Sequence, residues 1–325
     1  MRLYSLLRNL TYSIIVAAGF SMKIFPDYIK KIAFVAISSP PDMEIVKKAA
    51  VMLKSSGYKV VIKPSVCKKT TVSYLASDVK TRVEDIHSCW KDKSVDMVMA
   101  VRGGYGSAHL LPFLDWDLLK TRNIPFLGYS DLTAIHLAFY AKKIGTPISG
   151  AVIPSLATIE SDEYTKTSLS NVFGKKYEVL PLTGKKIRIL KHGKAMGPIL
   201  PVTLSVLVTL IGTEYLPNMK MKNCILLVED INEPVYKLDR YFTQLKQSGI
   251  FGKLSGLMLG NFKHCGNKTD RLKLFSDISN EINGPVVMGI PFGHSYPRIS
   301  VAFGAMCSLD CKAEMPTIII ENQKL

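Results

Sequence analysis

Three polar residues stand, in chain order, where a nucleophile, an orienting carboxylate and a general base are wanted: Ser130, Glu229 and His294. Ser130 lies in the stretch PFLGYSDLTAIHLAFYAK, residues 125–142. A short apolar run ends at Leu127, Gly128-Tyr129 turns, and from Leu132 the apolar residues Ile135, Leu137 and Phe139 recur at helical spacing. A strand-turn-helix corner of this kind lifts one side chain clear of the backbone and surrounds it with unpaired helix N-terminal N–H groups, the setting in which a serine meets an oxyanion. The plainer alternative is that Ser130 or Asp131 only caps the helix. The corner departs from G-x-S-x-G, since Leu132 stands in place of the last glycine. Glu229 closes the buried-strand pattern Ile225-Leu226-Leu227-Val228, with Asp230 and Glu233 as acidic alternatives. His294 follows Ile290-Pro291-Phe292-Gly293, so it is either a loop histidine projecting into a cleft or one that merely hydrogen-bonds locally.

The elements that must position these residues follow from the apolar pattern. Lys31 to Ser38 reads as a strand buried on both faces, and Tyr58 to Ile62 and Val95 to Val101 read as further strands. Between them lie amphipathic helices, one from Ile45 to Ser56 stopped by Gly57 and one capped at Ser77-Asp78 that runs through Val83, Ile86 and Trp90. Alternation at this spacing predicts a doubly wound α/β domain, in which ligands bind at the carboxyl ends of the strands. One such end carries Arg102-Gly103-Gly104-Tyr105-Gly106-Ser107, whose paired glycines let the backbone approach a ligand and aim N–H groups at it. The same segment begins G-x-G-x-x-G, but His109 replaces the third glycine and no acidic residue follows at the distance a dinucleotide loop needs.

From Ser161 to about Lys186 the chain turns polar and basic, and a linker is expected there. Beyond it come short β-like runs, 186–190, 224–228, 256–259 and 317–320, with a helix from Val235 to Ser248. The predicted division is an extension over 1–30, an α/β domain over 31–165 carrying the nucleophile, a linker over 166–186, and a smaller β-rich domain over 187–325 carrying the carboxylate and the histidine. The active site then falls at the domain interface. A length of 325 residues agrees with two cores.

Forty-two Lys and Arg against 26 Asp and Glu give a net charge of +16. The densest basic run, Lys175, Lys176, Lys185, Lys186, Arg188, Lys191 and Lys194, has no interleaved aromatic residues to stack bases, so no nucleic-acid partner is expected. Six cysteines form no C-x-x-C and have no matching histidines, which argues against structural zinc and fits free thiols in a reducing compartment. Cytoplasmic residence is the expectation. Arg2 and Arg8 ahead of the apolar run Tyr12 to Phe20, with small residues at 17–19, leave export or membrane attachment through residues 1–22 as the alternative, alongside a start at Met22.

Taken in order, Arg102-Gly103-Gly104-Tyr105-Gly106, Gly128-Tyr129-Ser130-Asp131, Leu227-Val228-Glu229-Asp230 and Gly289-Ile290-Pro291-Phe292-Gly293-His294 resemble the LD-carboxypeptidases of murein recycling and the related microcin C self-immunity peptidases. The likeness runs from about residue 31 to the end and takes in Leu110 to Asp115, and Glu233-Pro234 through Asp239-Arg240 with Leu245. It implies a serine carboxypeptidase with a Rossmann-like N-terminal domain, a β-rich C-terminal domain, a Ser-Glu-His triad and no metal; no cofactor and a homodimer are separate expectations. Ser130 is then the nucleophile, His294 the general base and Glu229 its partner. The backbone N–H groups of Gly104 and Asp131 form the oxyanion hole, and Arg102, Gly103 and Tyr105 contact substrate. That substrate is a murein tetrapeptide, cut between an L-configured diamino-acid centre and terminal D-Ala; a peptide–nucleotide conjugate, or peptide binding without catalysis, is the alternative. The chain departs from the pattern at Pro201-Val202-Thr203, where relatives commonly carry Gly-Gly-Asn, and at Val301-Ala302-Phe303-Gly304, where Leu-Pro-Ile-Gly is usual.

Overall fold

In a computed structural model the described residues are 24–68, 70–156, 162–216 and 221–322. The reading of residues 1–22 as a signal or anchor lies outside them. Among the described residues no helix is long and apolar enough to cross a membrane.

The continuous apolar runs become buried central strands, and the more polar run 59–62 becomes a half-exposed edge strand. β1 (Lys31–Val35), β2 (Lys59–Ile62), β3 (Met97–Ala100), β4 (Pro125–Gly128) and β5 (Thr146–Ser149) pair in parallel in the order β2-β1-β3-β4-β5. Phe34, Val35, Met97 to Ala100, Phe126 and Leu127 are fully enclosed. Helices α1 (Met43–Ser55), α2 (Val79–Lys91) and α3 (Thr133–Lys142) supply crossovers. The first two begin where the sequence offers an N-cap: Asp42 accepts from the N–H groups of Glu44 and Ile45, and Asp78 from that of Thr81. The strand order reverses between β1 and β3, and at such a switch point the strand ends leave a crevice for ligands.

A second sheet has the order β6-β14-β13-β8-β9-β10-β11-β7. Its strands are β6 (Lys176–Glu178), β7 (Arg188–Lys191), β8 (Lys194–Thr203), β9 (Ile225–Ile231), β10 (Gly256–Lys263), β11 (Val286–Met288), β13 (Met306–Asp310) and β14 (Thr317–Glu321). Its centre, β8-β9-β10-β11, is parallel, with antiparallel strands on either side. Helices α5 (Val235–Gln247) and α6 (Lys268–Glu281) connect the parallel strands, so the four-stranded parallel centre of the second sheet repeats the strand-end geometry of the first.

Two details go beyond the sequence reading. β12 (Val301–Ala302), late in the chain, adds antiparallel to β5 and so belongs to the first sheet. The stretch 166–186 holds most of a helix, α4 (Glu163–Asn171), and the edge strand β6. Polar sequence disguised both, because an edge strand and a half-exposed helix need only one apolar face. The basic run of the sequence is also dispersed: β6 and β7 lie at opposite ends of the strand order, Lys176 pairs with Glu321 at 2.9 Å, and Lys194 pairs with Asp310. All six cysteines are free thiols, Cys67 exposed and the others buried.

Candidate active site

The corner after β4 is made by the backbone. Gly128 has no side chain because Leu132 occupies its place: a Cβ there would lie 1.9 Å from Leu132 Cδ2. Ser130 then takes a left-handed φ of 68°, and residues 130–132 form a single 3₁₀ turn leading into α3. A non-glycine residue in this region is held there at a cost, and such strain gathers at functional sites. Neither Ser130 nor Asp131 caps the helix; no side-chain cap bond is made at either helical start.

Asp131 instead braces the corner. Its Oδ2 accepts from Ser38 Oγ at 2.6 Å and from the Ser107 N–H at 2.8 Å, while Ser107 Oγ donates to the Asp131 carbonyl at 2.5 Å. One carboxylate thus ties the end of β1, the glycine loop after β3 and the corner after β4 across the switch point. Buried Arg82 adds a second tie, donating from Nη1 to the carbonyls of Ile37 and Gly106 at 2.9 and 3.0 Å. The glycine loop can come this close only without side chains: a Cβ on Gly103 would stand 2.9 Å from both Ser130 Cβ and the Tyr129 carbonyl oxygen. One on Gly104, at φ 119°, would fall 2.2 Å from Ser39 Oγ.

Glu229 closes the apolar part of β9 and is 0% exposed. A buried carboxylate must be fully hydrogen-bonded, and this one is. Oε1 accepts from Thr203 Oγ1 at 2.5 Å; Oε2 accepts from Tyr129 Oη at 3.2 Å and faces His294 Nδ1 at 2.7 Å. Tyr129, enclosed and beside Glu229, has its hydroxyl pKa held well above the ordinary value, first by burial and then by that charge. It therefore remains a donor. On its other side, His294 Nε2 lies 3.0 Å from Ser130 Oγ. With Nδ1–H given to the carboxylate, Nε2 keeps its lone pair toward the serine hydroxyl. Gly293, at φ 131°, lets this loop pass Glu229, since a Cβ there would stand 3.1 Å from Oε2.

The acidic neighbours are occupied elsewhere. Asp230 points away from Glu229, as alternation along a strand requires. It accepts from the Ser205 N–H at 2.8 Å, from Ser205 Oγ at 3.2 Å and from the Ile231 N–H at 2.9 Å, and burial pushes its pKa up to about 6. Glu233 faces Lys237 at 3.3 Å.

A cavity of about 570 Å³ opens over Ser130 and His294, walled by Arg102, Gly103, Gly104, Tyr129, Asn232 and Arg298 among others. The Tyr105 side chain is not on this wall: its exposed ring packs on Tyr74 and His109, and its N–H donates to Ser39 Oγ at 3.1 Å. Sequence reasoning overlooked Ser38, Arg82, Ser107, Tyr129 and Thr203 as supports of the site. Ser38 was signalled by its place at the end of β1, and Thr203 by standing within the Pro-Val-Thr departure.

Residues 32–149 match the LD-carboxypeptidase N-terminal domain and residues 196–309 the LD-carboxypeptidase C-terminal domain. The chain belongs to the LD-carboxypeptidase family. Among relatives, the murein tetrapeptide carboxypeptidase of Pseudomonas aeruginosa is 28% identical over 251 residues, 73% of this chain and 80% of that one. The muramoyltetrapeptide carboxypeptidase of Oxalobacter formigenes superposes with a TM-score of 0.79 at 25% identity, over 91% of this chain and all of that one. An MccF-like protein from Bacillus anthracis shares the fold, with a TM-score of 0.82 at 24% identity over 90% and 97% of the two chains. The two-sheet architecture of this LD-carboxypeptidase is thus the architecture of its family.

Proposed function

We propose that this serine carboxypeptidase hydrolyses the L,D-peptide bond that releases terminal D-Ala from murein tetrapeptides, with Ser130, His294 and Glu229 as its catalytic triad. The observation that carries the proposal is the continuous relay from Ser130 Oγ to His294 at 3.0 Å and on to Glu229 at 2.7 Å, in a chain of this family. His294 Nε2 takes the hydroxyl proton as Ser130 Oγ attacks the carbonyl carbon of the penultimate residue. Glu229, held by Thr203 and Tyr129, stabilises the imidazolium that forms. The developing oxyanion is received by the N–H groups of Gly104 and Asp131, a role that the close approach of the glycine loop to the Ser130 corner supports. Imidazolium then protonates the leaving nitrogen, D-Ala departs, and water activated by the same histidine hydrolyses the acyl-enzyme.

The remaining parts of this reading have their own supports. Arg102 and Gly103 on the cavity wall fit substrate contact. Relays joining a corner of the first sheet to a strand end of the second fit a site between two domains that divide near residues 166–186. Free, mostly buried thiols fit a reducing cytoplasm, and family resemblance supports a homodimer, which sedimentation would check. Incubation with murein tetrapeptide, products resolved by mass, tests the activity. Tripeptide and D-Ala are expected; an untouched tetrapeptide alongside cleavage of a peptide–nucleotide conjugate would assign the self-immunity reaction instead.

A further inference from the structure

We propose that Arg298 binds the α-carboxylate of the substrate's C-terminal residue and so confines this enzyme to chain ends; the proposal rests on the carboxypeptidase reading above. An exopeptidase must recognise the free carboxylate of the residue it removes, and that group lies only two bonds from the leaving nitrogen that His294 protonates. The cavity over Ser130 has two guanidinium groups on its wall, Arg102 and Arg298, and one acid, Asp42, whose Oδ1 is engaged by the N–H groups of Glu44 and Ile45 at 2.9 and 3.4 Å.

The two arginines differ in kind. Arg102 is exposed and donates to the Pro40 carbonyl at 3.0 Å. Arg298 is 4% exposed, yet among the described residues no carboxylate lies within 4 Å of it. Its Nη2 donates to Ser155 Oγ, with Tyr296 Oη at 3.4 Å, and its Nε is buried without an acceptor. The guanidinium carbon sits 4.4 Å from the centre of the Tyr129 ring and 4.9 Å from that of Tyr296. Aromatic faces offset part of the cost of desolvating a cation. The hydroxyls of Tyr129 and Tyr296 take part of its hydrogen bonding, but they are neutral, Nε keeps no acceptor, and arginine cannot escape by losing its proton. A buried cation so placed, on the wall of a cavity, is complementary to an anion that arrives from outside, and its planar fork suits a carboxylate.

Position also assigns the leaving-group side. The His294 imidazole packs on the same Tyr129 ring, 4.6 Å between centres, so both cations of the leaving step flank one aromatic side chain. The backbone of the arginine is fixed from outside the loop by Thr165 Oγ1, which accepts from the Arg298 N–H at 2.9 Å. The guanidinium is therefore positioned in advance of substrate.

The test compares kcat/KM for the murein tetrapeptide with that for the same peptide as its C-terminal amide. The intact enzyme should prefer the free carboxylate by about 100-fold, the worth of a strong charge-assisted hydrogen bond. In Arg298→Gln that preference should fall to within about threefold, and Arg298→Lys should show an intermediate value. A merely structural role would lower both rates by one factor and leave their ratio unchanged, which would overturn the proposal. Transfer of the effect to Arg102→Gln would do the same. Calorimetric binding of the two peptides to Ser130→Ala protein, with and without Arg298→Gln, reads the recognition without turnover. A wild-type enzyme that releases no D-Ala would refute the activity, whereas equal binding of peptide and amide would refute the role of Arg298. Should Arg298→Gln fail to fold, Arg298→Lys decides through the same ratio.

Discussion

The ends of β4 and β9 each present one polar residue to the same cavity, but they hold it by opposite means. At β4 the backbone does the positioning: Ser130 sits at φ 68°, Gly128 yields its place to Leu132, and Gly103 approaches so closely that a Cβ would meet the Tyr129 carbonyl at 2.9 Å. At β9 the backbone is ordinary strand, and Glu229 is fixed by three side chains, Thr203, Tyr129 and His294. A nucleophile must project from the fold with its hydroxyl free for one partner, so strain in the main chain sets its direction. A buried carboxylate needs every lone pair satisfied, so hydrogen-bond donors set its direction. The two ends should therefore fail under different substitutions.

The largest effect belongs to the residue the corner exists to present. Ser130→Ala should lower turnover by about 10⁴-fold or more while the far-ultraviolet spectrum stays native, because triad members act as a unit. At the other end, Glu229→Gln should cost about 10²- to 10⁴-fold, as the loss of an orienting carboxylate does in other triads. Near-normal D-Ala release by either variant would break the comparison at that end. Gly103→Ala leaves the triad residues in the sequence but drives one methyl group against Ser130 Cβ and the Tyr129 carbonyl. It should cost on the order of 10²-fold in kcat, since a shift of about an ångström at the reacting atoms is enough. At the end of β9 the crowding is milder, since a Cβ on Gly293 would stand 3.1 Å from Glu229 Oε2 rather than against main chain.

Smaller effects sharpen the side-chain account. Thr203→Val removes one donor to Glu229 and should lower kcat about tenfold with Thr203→Ser restoring most of it, a rescue that a general loss of packing would not allow. Asp230→Asn and Glu233→Gln should change turnover by no more than about threefold, measured on the same tetrapeptide. Asp230 has a separate signature in stability. Its pKa rises from 3.8 to about 6 on burial, so between those values the folded chain holds a proton that the unfolded chain has released. Stability from this group is full at acid pH and declines as pH rises through that window. Urea titrations of the wild type between pH 4 and 6 should show that decline, and Asp230→Asn should remove it.

The contrast also explains what could be read in the sequence. Apolar strands such as 31–35, 97–100 and 225–228 announce themselves because both faces are buried, and the corner and Glu229 follow from where those strands stop. The supports of the corner were harder to find. Ser38, Arg82 and Ser107 converge through a strand order that no local pattern encodes, and the direction of the Asp131 side chain away from the following helix depends on that convergence. Thr203 was visible only as a departure from a motif, its contact with Glu229 set by β8 pairing in parallel with β9 at Thr203 and Glu229. β12 escaped because two residues carry no period, and its partner lies 152 positions earlier, Val301 against Ser149.

Ser130 and Glu229 lie at the two ends of one hydrogen-bonded relay through His294. The relay is tested most directly by reacting the protein with a fluorophosphonate, which bonds to an activated serine, and mapping the adduct by mass. The account predicts a single adduct on Ser130, formed at least about 100-fold more slowly in Glu229→Gln and absent in Ser130→Ala. Labelling of a different residue, or equal labelling rates in wild type and Glu229→Gln, would contradict it.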